Sequence, residues 1–164
     1  LKSDAIYAGQ KLTIPGSAAP PPSGTDVIVD DADAGFRRGG SATGWQTAAF
    51  GYRSRSTWTL NNQVQQANYN WGRWYPSLAP GRYEVSVFIP SRNANTRQAT
   101  YWVAHADGFA SRVVNQLAVS DAWVSLGTYR FTGSGEEYVS LNDITGEAAL
   151  SRRIGFDAVR WSAR

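Results

Sequence analysis

The amino-acid sequence predicts an all-β domain, an antiparallel jelly-roll-type β-sandwich of eight to ten short strands with little or no helix. Apolar residues recur with period two in run after run, and turn-forming residues punctuate those runs every ~8–12 positions. No stretch sustains the 3.6-residue apolar period of an amphipathic helix. The chain has 164 residues, and a domain of that size buries roughly 68–70% of the surface its unfolded form exposes. A hydrophobic core is therefore enough for stability.

In chain order, residues 17–25, SAAPPPSGT, read as an extended Pro/Ser linker between a short leading segment, 1–16, and a folded domain expected over 26–164. Val27-Ile28-Val29 is a short first strand, and Asp30, Asp31 and Asp33 follow in a turn closed by Gly35. Arg37 to Gly44 is expected to be a loop. Ser56 to Leu60 and Ala67 to Tyr75 are β-like runs around a polar connector, Asn61 to Gln66. Asn and Gln fill seven of the ten positions from 61 to 70, a composition poor in helix formers.

After the Pro80-Gly81 turn, Tyr83, Val85, Val87 and Ile89 alternate with Arg82, Glu84, Ser86 and Phe88. Because the second set ends in Phe88, one face of this strand is expected to be fully buried and the other covered at one end, which makes it a central strand. Ser91 to Asn95 is a turn. Gln98 to His105 is a strand, Ala106-Asp107-Gly108 a hairpin turn, and Phe109 to Leu117 the return. Trp123 to Leu126 and Thr128 to Phe131 make one strand bent at Gly127. Glu137 to Leu141 is short, and Arg153 to Trp161 is expected to be a single closing strand.

Composition narrows the function classes. With no Cys and no Met the chain has neither disulfides nor a thiolate metal site, which suits an oxidising exterior. No apolar run reaches the ~18 residues of a membrane span, and the chain reads as a processed piece of a longer, secreted protein. The net charge is +3, with 14 Arg against 2 Lys. The cations are scattered, as at Arg37, Arg53, Arg73, Arg97, Arg130 and Arg160, whereas a nucleic-acid binder clusters them. Nucleic acid is not an expected partner, and a weak attraction for anionic polymers is.

Enzyme motifs are missing. HExxH, GxSxG, Walker-type and Rossmann glycine patterns do not occur. The single histidine, His105, stands just ahead of the Asp107-Gly108 turn and reads as structural.

Three groups of residues carry candidate chemistry. Eight aromatics fall between Trp45 and Tyr75, and of these Trp45, Tyr52, Tyr69, Trp71 and Trp74 could stack pyranose rings while Asn68, Asn70 and Arg73 bond hydroxyls. The same tryptophans, like Trp58, could equally be core. Asp30, Asp31 and Asp33 could meet Asp157 on the last strand and hold a structural Ca²⁺ through carboxylate oxygens, or they could cap their turn and bond backbone amides. Ile6, Tyr7, Leu12 and Ile14 belong to a strand-like stretch, Ile6 to Ile14, that could add to the sheet edge of another copy.

Two resemblances follow from these residues. Ile6 to Pro15, IYAGQKLTIP, resembles the closing segment of a LysM module, a family that binds N-acetylglucosamine-containing glycans such as peptidoglycan and chitin. VIVDDADAGF, NWGRWYPSL, PGRYEVSVFIP, YWVAHADG, AWVSLGTYRF, YVSLND and GFDAVRW, in that order across 26–164, resemble the golvesin C-terminal and xanthan-lyase-like carbohydrate-binding domain. The second resemblance implies a galactose-binding-like β-sandwich acting as an accessory module of secreted bacterial proteins. Two functions are therefore expected. One is a non-catalytic extracellular module that binds a glycan or the cell wall. The other is a subunit of an extracellular fibre or surface layer, polymerised by donation of the 1–16 strand between copies.

Overall fold

The computed structural model describes residues 26–164. The leading segment, the linker and with them Ile6, Tyr7, Leu12 and Ile14 lie outside the described residues. Twelve strands form three antiparallel sheets. The first sheet runs β1 (Val27–Val29), β12 (Val159–Ala163), β6 (Gly81–Ile89), β9 (Ala122–Phe131). The second runs β2 (Phe36–Gly39), β5 (Trp71–Trp74), β10 (Tyr138–Asn142), β7 (Ala99–His105), β8 (Gly108–Val114). The third and smallest runs β11 (Arg153–Phe156), β4 (Ser56–Leu60), β3 (Gln46–Ala48). Two single 3-10 turns, Tyr52–Ser54 and Gln116–Ala118, are the helical content.

Strand β6 is interior to its sheet, between β12 and β9, as its alternation demands. Tyr83, Val85, Val87 and Ile89 are buried and share one core with Leu126, Phe131 and Trp161 of their own sheet and with Trp74, Tyr101, Val103, Val139 and Leu141 of the second. Phe88 on the other face is covered by Tyr52 and Trp123, at ring-centroid separations of 5.8 and 5.3 Å. The bend at Gly127 is a β-bulge: Val85 pairs with Gly127 and Ser86 with Ser125, so Leu126 is the extra residue. Its carbonyl, taken out of the ladder, accepts from Tyr129 Oη at 2.6 Å and Arg112 Nε at 3.2 Å, which satisfies a group that would otherwise be orphaned. Gly127 has φ +127, and a Cβ there would lie 2.8 Å from the Tyr129 hydroxyl; only glycine fits.

Three expectations need correction. The closing run is two strands in different sheets, because the chain turns at Asp157-Ala158 and passes from β4 to a place between β1 and β6. The expected loop from Arg37 begins as strand β2, paired with β5, and Gln46–Ala48 is a further short strand on β4. These pieces are three or four residues long and lack a full apolar alternation, so periodicity could not reveal them. Conversely, only Trp71–Trp74 of the run from Ala67 to Tyr75 is strand. Asn70 stops it, since its backbone N–H donates to Asp143 Oδ2 at 2.8 Å and its side-chain amide to Thr59 Oγ1 at 2.7 Å.

One buried amide holds the interior at the crossing. Gln116, with no solvent exposure, donates to Tyr101 Oη at 3.0 Å and to the Gly155 carbonyl at 2.9 Å, and accepts from the Gly155 N–H at 3.0 Å. Gln116→Ala leaves these groups unpaired beside a cavity and is expected to cost about 3 kcal/mol. Urea unfolding checks this, and a midpoint equal to that of the native chain would contradict it.

Candidate functional site

A cleft of about 410 Å³ opens where β4, the loop over residues 41–44, Gln46 of β3 and the connector after β4 converge. Trp58, half-buried on β4, forms one wall, and Leu60 and Leu150 stand exposed at the rim. The remaining lining is polar, with Asn62, Gln66, Asn68, Asn70 and Asp143 among it. Asp143 is fully buried; its Oδ2 accepts from Asn62 Nδ2 at 2.9 Å and from the Asn70 N–H, while its Oδ1 has no hydrogen-bond partner. Burial raises its pKa above the ordinary carboxylate value. The cleft thus joins an indole surface to amides that can donate or accept and to a carboxylate oxygen that needs a donor.

The outer face of the second sheet is a different kind of surface. Trp71, Arg73 and Tyr75 alternate outward from β5 and the residue after it, while Gly72 and Trp74 point to the core. Register sets Arg37 opposite Arg73, Ser140 beside Arg73 and Trp102 beside Ser140, so one row crosses β2, β5, β10 and β7. The flanking row brings Tyr75 against Tyr138 at 5.2 Å, with Phe109 at 6.4 Å from Tyr138. Trp102 is 43% and Phe109 67% exposed. An outward sheet face is ordinarily polar; this one is aromatic and basic. Trp71 lies flat across Gly39, where a Cβ would be 2.5 Å from the indole.

The aromatic residues singled out from sequence therefore separate. Trp71 and Arg73 share the open sheet face, and Asn68 and Asn70 line the cleft. Trp74 is 1% exposed, its Nε1 donating to the Asp157 carbonyl at 2.8 Å, so no ligand can stack on it. Trp45 packs edge-on against Phe156 at 4.8 Å and donates to the Gly39 carbonyl, a role at the fringe of the core. Tyr52 belongs to the Phe88–Trp123 cluster over the first sheet. Tyr69 lines neither surface. His105 accepts from the Asp107 N–H and stacks on Tyr129 at 4.9 Å, fastening its own turn.

Sequence reasoning did not single out Asn62, Asp143, Tyr138, Trp102 or Phe109. The aromatics among them lie on other strands, and pairing them with Trp71 requires the register. Asp143 follows a strand end with no local signature of a site.

The acidic residues also divide. Asp30, Asp31 and Asp157 are buried, with one oxygen of each within 4.8 Å of the others. Asp33 turns away, accepting from the Asp30 N–H and pairing with Arg53 at the surface. Asp157 accepts from the Tyr52 N–H through both oxygens, at 3.2 and 3.1 Å, and Gly51 (φ +114) makes room, since a Cβ there would lie 2.1 Å from Asp157 Oδ2. Asp31 accepts from the Thr57 hydroxyl and has Arg55 Nε at 3.4 Å. Asp30 Oδ2 and Asp31 Oδ1 have no partner. Burial pushes the pKa of Asp157 up to about 8 and of Asp31 up to about 6, and the neighbouring carboxylates add to both.

Fold and surfaces define an antiparallel β-sandwich with an open aromatic sheet face and a polar cleft. The chain belongs to the Golvesin C-terminal domain family, whose profile matches residues 27–162. A xanthan lyase of Bacillus sp. strain GL1 is 32% identical over 127 residues, covering 73% of this chain and 13% of that enzyme. The solved structure of a Paenibacillus xanthan lyase superposes with a TM-score of 0.68 at 24% identity, over 85% of this chain and 13% of that one. The chain thus spans a small part of the relatives it matches. Among the described residues no helix is long and apolar enough to cross a membrane.

The acid cluster gives stability a definite pH dependence. A carboxyl whose pKa is higher folded than unfolded contributes full stability below the unfolded value, near 4, and loses it as pH rises through the folded one. With chelator present, stability is expected to fall by about 1.4 kcal/mol per pH unit for each titrating group, through Asp31 and Asp157 up to about pH 6 and through Asp157 up to about pH 8, with Asp143, whose pKa burial also raises, adding in the same direction. Asp157→Asn should flatten the slope between pH 6 and 8. Denaturant unfolding across this range is the check, and stability rising with pH would contradict it.

Proposed function

We propose that this domain is a non-catalytic, extracellular carbohydrate-binding module and that the cleft beside Trp58 receives a neutral sugar. The observation that carries the reading is the combination in one cleft of an indole wall, side-chain amides and Asp143 Oδ1, a buried acceptor without a partner. A pyranose offers an apolar C–H face for the ring and hydroxyls that donate to a carboxylate and exchange bonds with amides. The family, and a 32% identical relative that is named a xanthan lyase, support the same reading.

Binding of cell-wall fractions and neutral glycans by array and calorimetry tests it. Trp58→Ala and Asn68→Ala are each expected to weaken binding at least tenfold, about 1.4 kcal/mol, with the fold retained. Asn68 is exposed and none of its side-chain atoms is hydrogen-bonded, so its variant separates ligand contact from folding. Absence of binding to every neutral glycan and wall fraction, or binding indifferent to both substitutions, would sink the proposal.

We further propose that Asp30, Asp31 and Asp157 hold a structural calcium ion. Hard cations take oxygen ligands, and the cluster offers three buried carboxylates with two oxygens not otherwise bonded. An ion held there would offset the mutual repulsion of the carboxylates. At 100-fold saturation calcium should raise the melting temperature at pH 7.5 by roughly 5–10 °C, and Asp157→Asn should remove the effect. A melting temperature identical in calcium and chelator would dismiss the ion.

A further inference from the structure

The five strands β2, β5, β10, β7 and β8 carry four arginines, Arg37, Arg38, Arg73 and Arg112, and not one Asp or Glu. Two of the four point outward side by side, because Arg37 and Arg73 are direct partners in the β2–β5 ladder. Direct antiparallel partners have Cβ atoms ~4.5–5.5 Å apart, and like charges there are destabilising. Among the described residues neither guanidinium has a carboxylate within ion-pairing distance, whereas Arg53, Arg55, Arg130, Arg152, Arg160 and Arg164 all do. Arg73 Nε is enclosed without any hydrogen-bond partner.

Aromatic rings hold this pair in place. Arg37 lies over Tyr75 at 4.9 Å, and Arg73 lies over both Trp71 at 4.9 Å and Tyr138 at 4.8 Å. The rings hold the two guanidiniums in place but leave them without an anionic partner. The outcome is a pair of adjacent cations on the β2–β5 side of an aromatic sheet face, a local repulsion that an anion would relieve.

We infer that this sheet face binds an acidic glycan through the carboxylate of a uronic acid residue. Trp102, 43% exposed and in the same outward row as Arg73 with Ser140 between them, offers an open ring on which a pyranose can lie flat, and the carboxylate of a uronate projects from the rim of that pyranose toward the arginines. A carboxylate also matches the planar guanidinium fork with two parallel hydrogen bonds. Nucleic acid fits less well, since tight phosphate-backbone binding rests on several neutralised phosphates in a row and this face presents two outward arginines in one place. The surface is distinct from the cleft beside Trp58 and does not rest on the neutral-sugar reading of that cleft.

Calorimetric titration of the full chain at physiological ionic strength tests the inference with three probes: a short oligogalacturonate, the same oligomer with its carboxylates methyl-esterified, and an oligothymidylate of equal charge. The oligogalacturonate should bind at least tenfold more tightly than the other two. Arg37→Gln, at an exposed position with no hydrogen bond to lose, should weaken it at least tenfold. Arg73→Lys, which keeps the charge but not the planar fork, should weaken it as well. Trp58→Ala should leave it unchanged, so a failed cleft and a failed sheet face are told apart. No binding of oligogalacturonate, equal binding of the ester, equal or tighter binding of oligothymidylate, or an affinity insensitive to both arginine substitutions would each overturn the inference.

Discussion

Much of this structure depends on one crossing, where the last stretch of chain leaves the third sheet and enters the first at Asp157-Ala158. A strand that changes sheets interrupts its ladder, and its buried N–H and C=O groups need other partners. Trp74 Nε1 donates to the Asp157 carbonyl and the Phe88 N–H to the Ala158 carbonyl, both at 2.8 Å. The Asp157 carboxylate in turn takes the Tyr52 N–H. The second sheet, the central strand and the loop after β3 are all fastened at this corner. The burial that makes the crossing possible is also what raises the Asp157 pKa, so one residue links architecture to electrostatics.

The cleft and the sheet face are neighbours by construction. Asn70 lines the cleft and Trp71 follows it on the open face; Asn142 belongs to the face and Asp143 to the cleft. Both surfaces therefore adjoin at one end of the β5–β10 ladder. Their chemistry differs all the same. The cleft is amide-rich with a buried carboxylate, whereas the sheet face is aromatic and cationic with no acid on its strands.

Periodicity made the long strands legible. Tyr83 to Ile89, Gln98 to His105 and the bent strand around Gly127 all follow from alternation and turn chemistry, and even the cover over Phe88 follows from its lone aromatic on a polar face. The short pieces did not, because Phe36–Gly39 and Gln46–Ala48 have too few residues to show a period. At the candidate surfaces, parity along β5 separates Trp71 and Arg73 from Trp74, since successive side chains on a strand face opposite ways. What parity along one strand cannot supply is register. That Arg37 faces Arg73, or that Tyr138 lies beside Tyr75, depends on pairings between segments up to 63 residues apart in the chain, counted from Tyr75 to Tyr138. Burial of Asp30, Asp31 and Asp157 was likewise invisible locally, although the adjacency of first and last strands pointed to their meeting.

The antiparallel pairing of β1 with β12 sets Val27 opposite Trp161. The polypeptide thus comes into the domain and goes out of it at nearly the same point, on one edge of the first sheet. A unit whose first and last strands are neighbours adds almost nothing to the end-to-end reach of any chain that continues past both of them. The arginine-bearing face lies on the side of the sandwich opposite the sheet that contains β1 and β12.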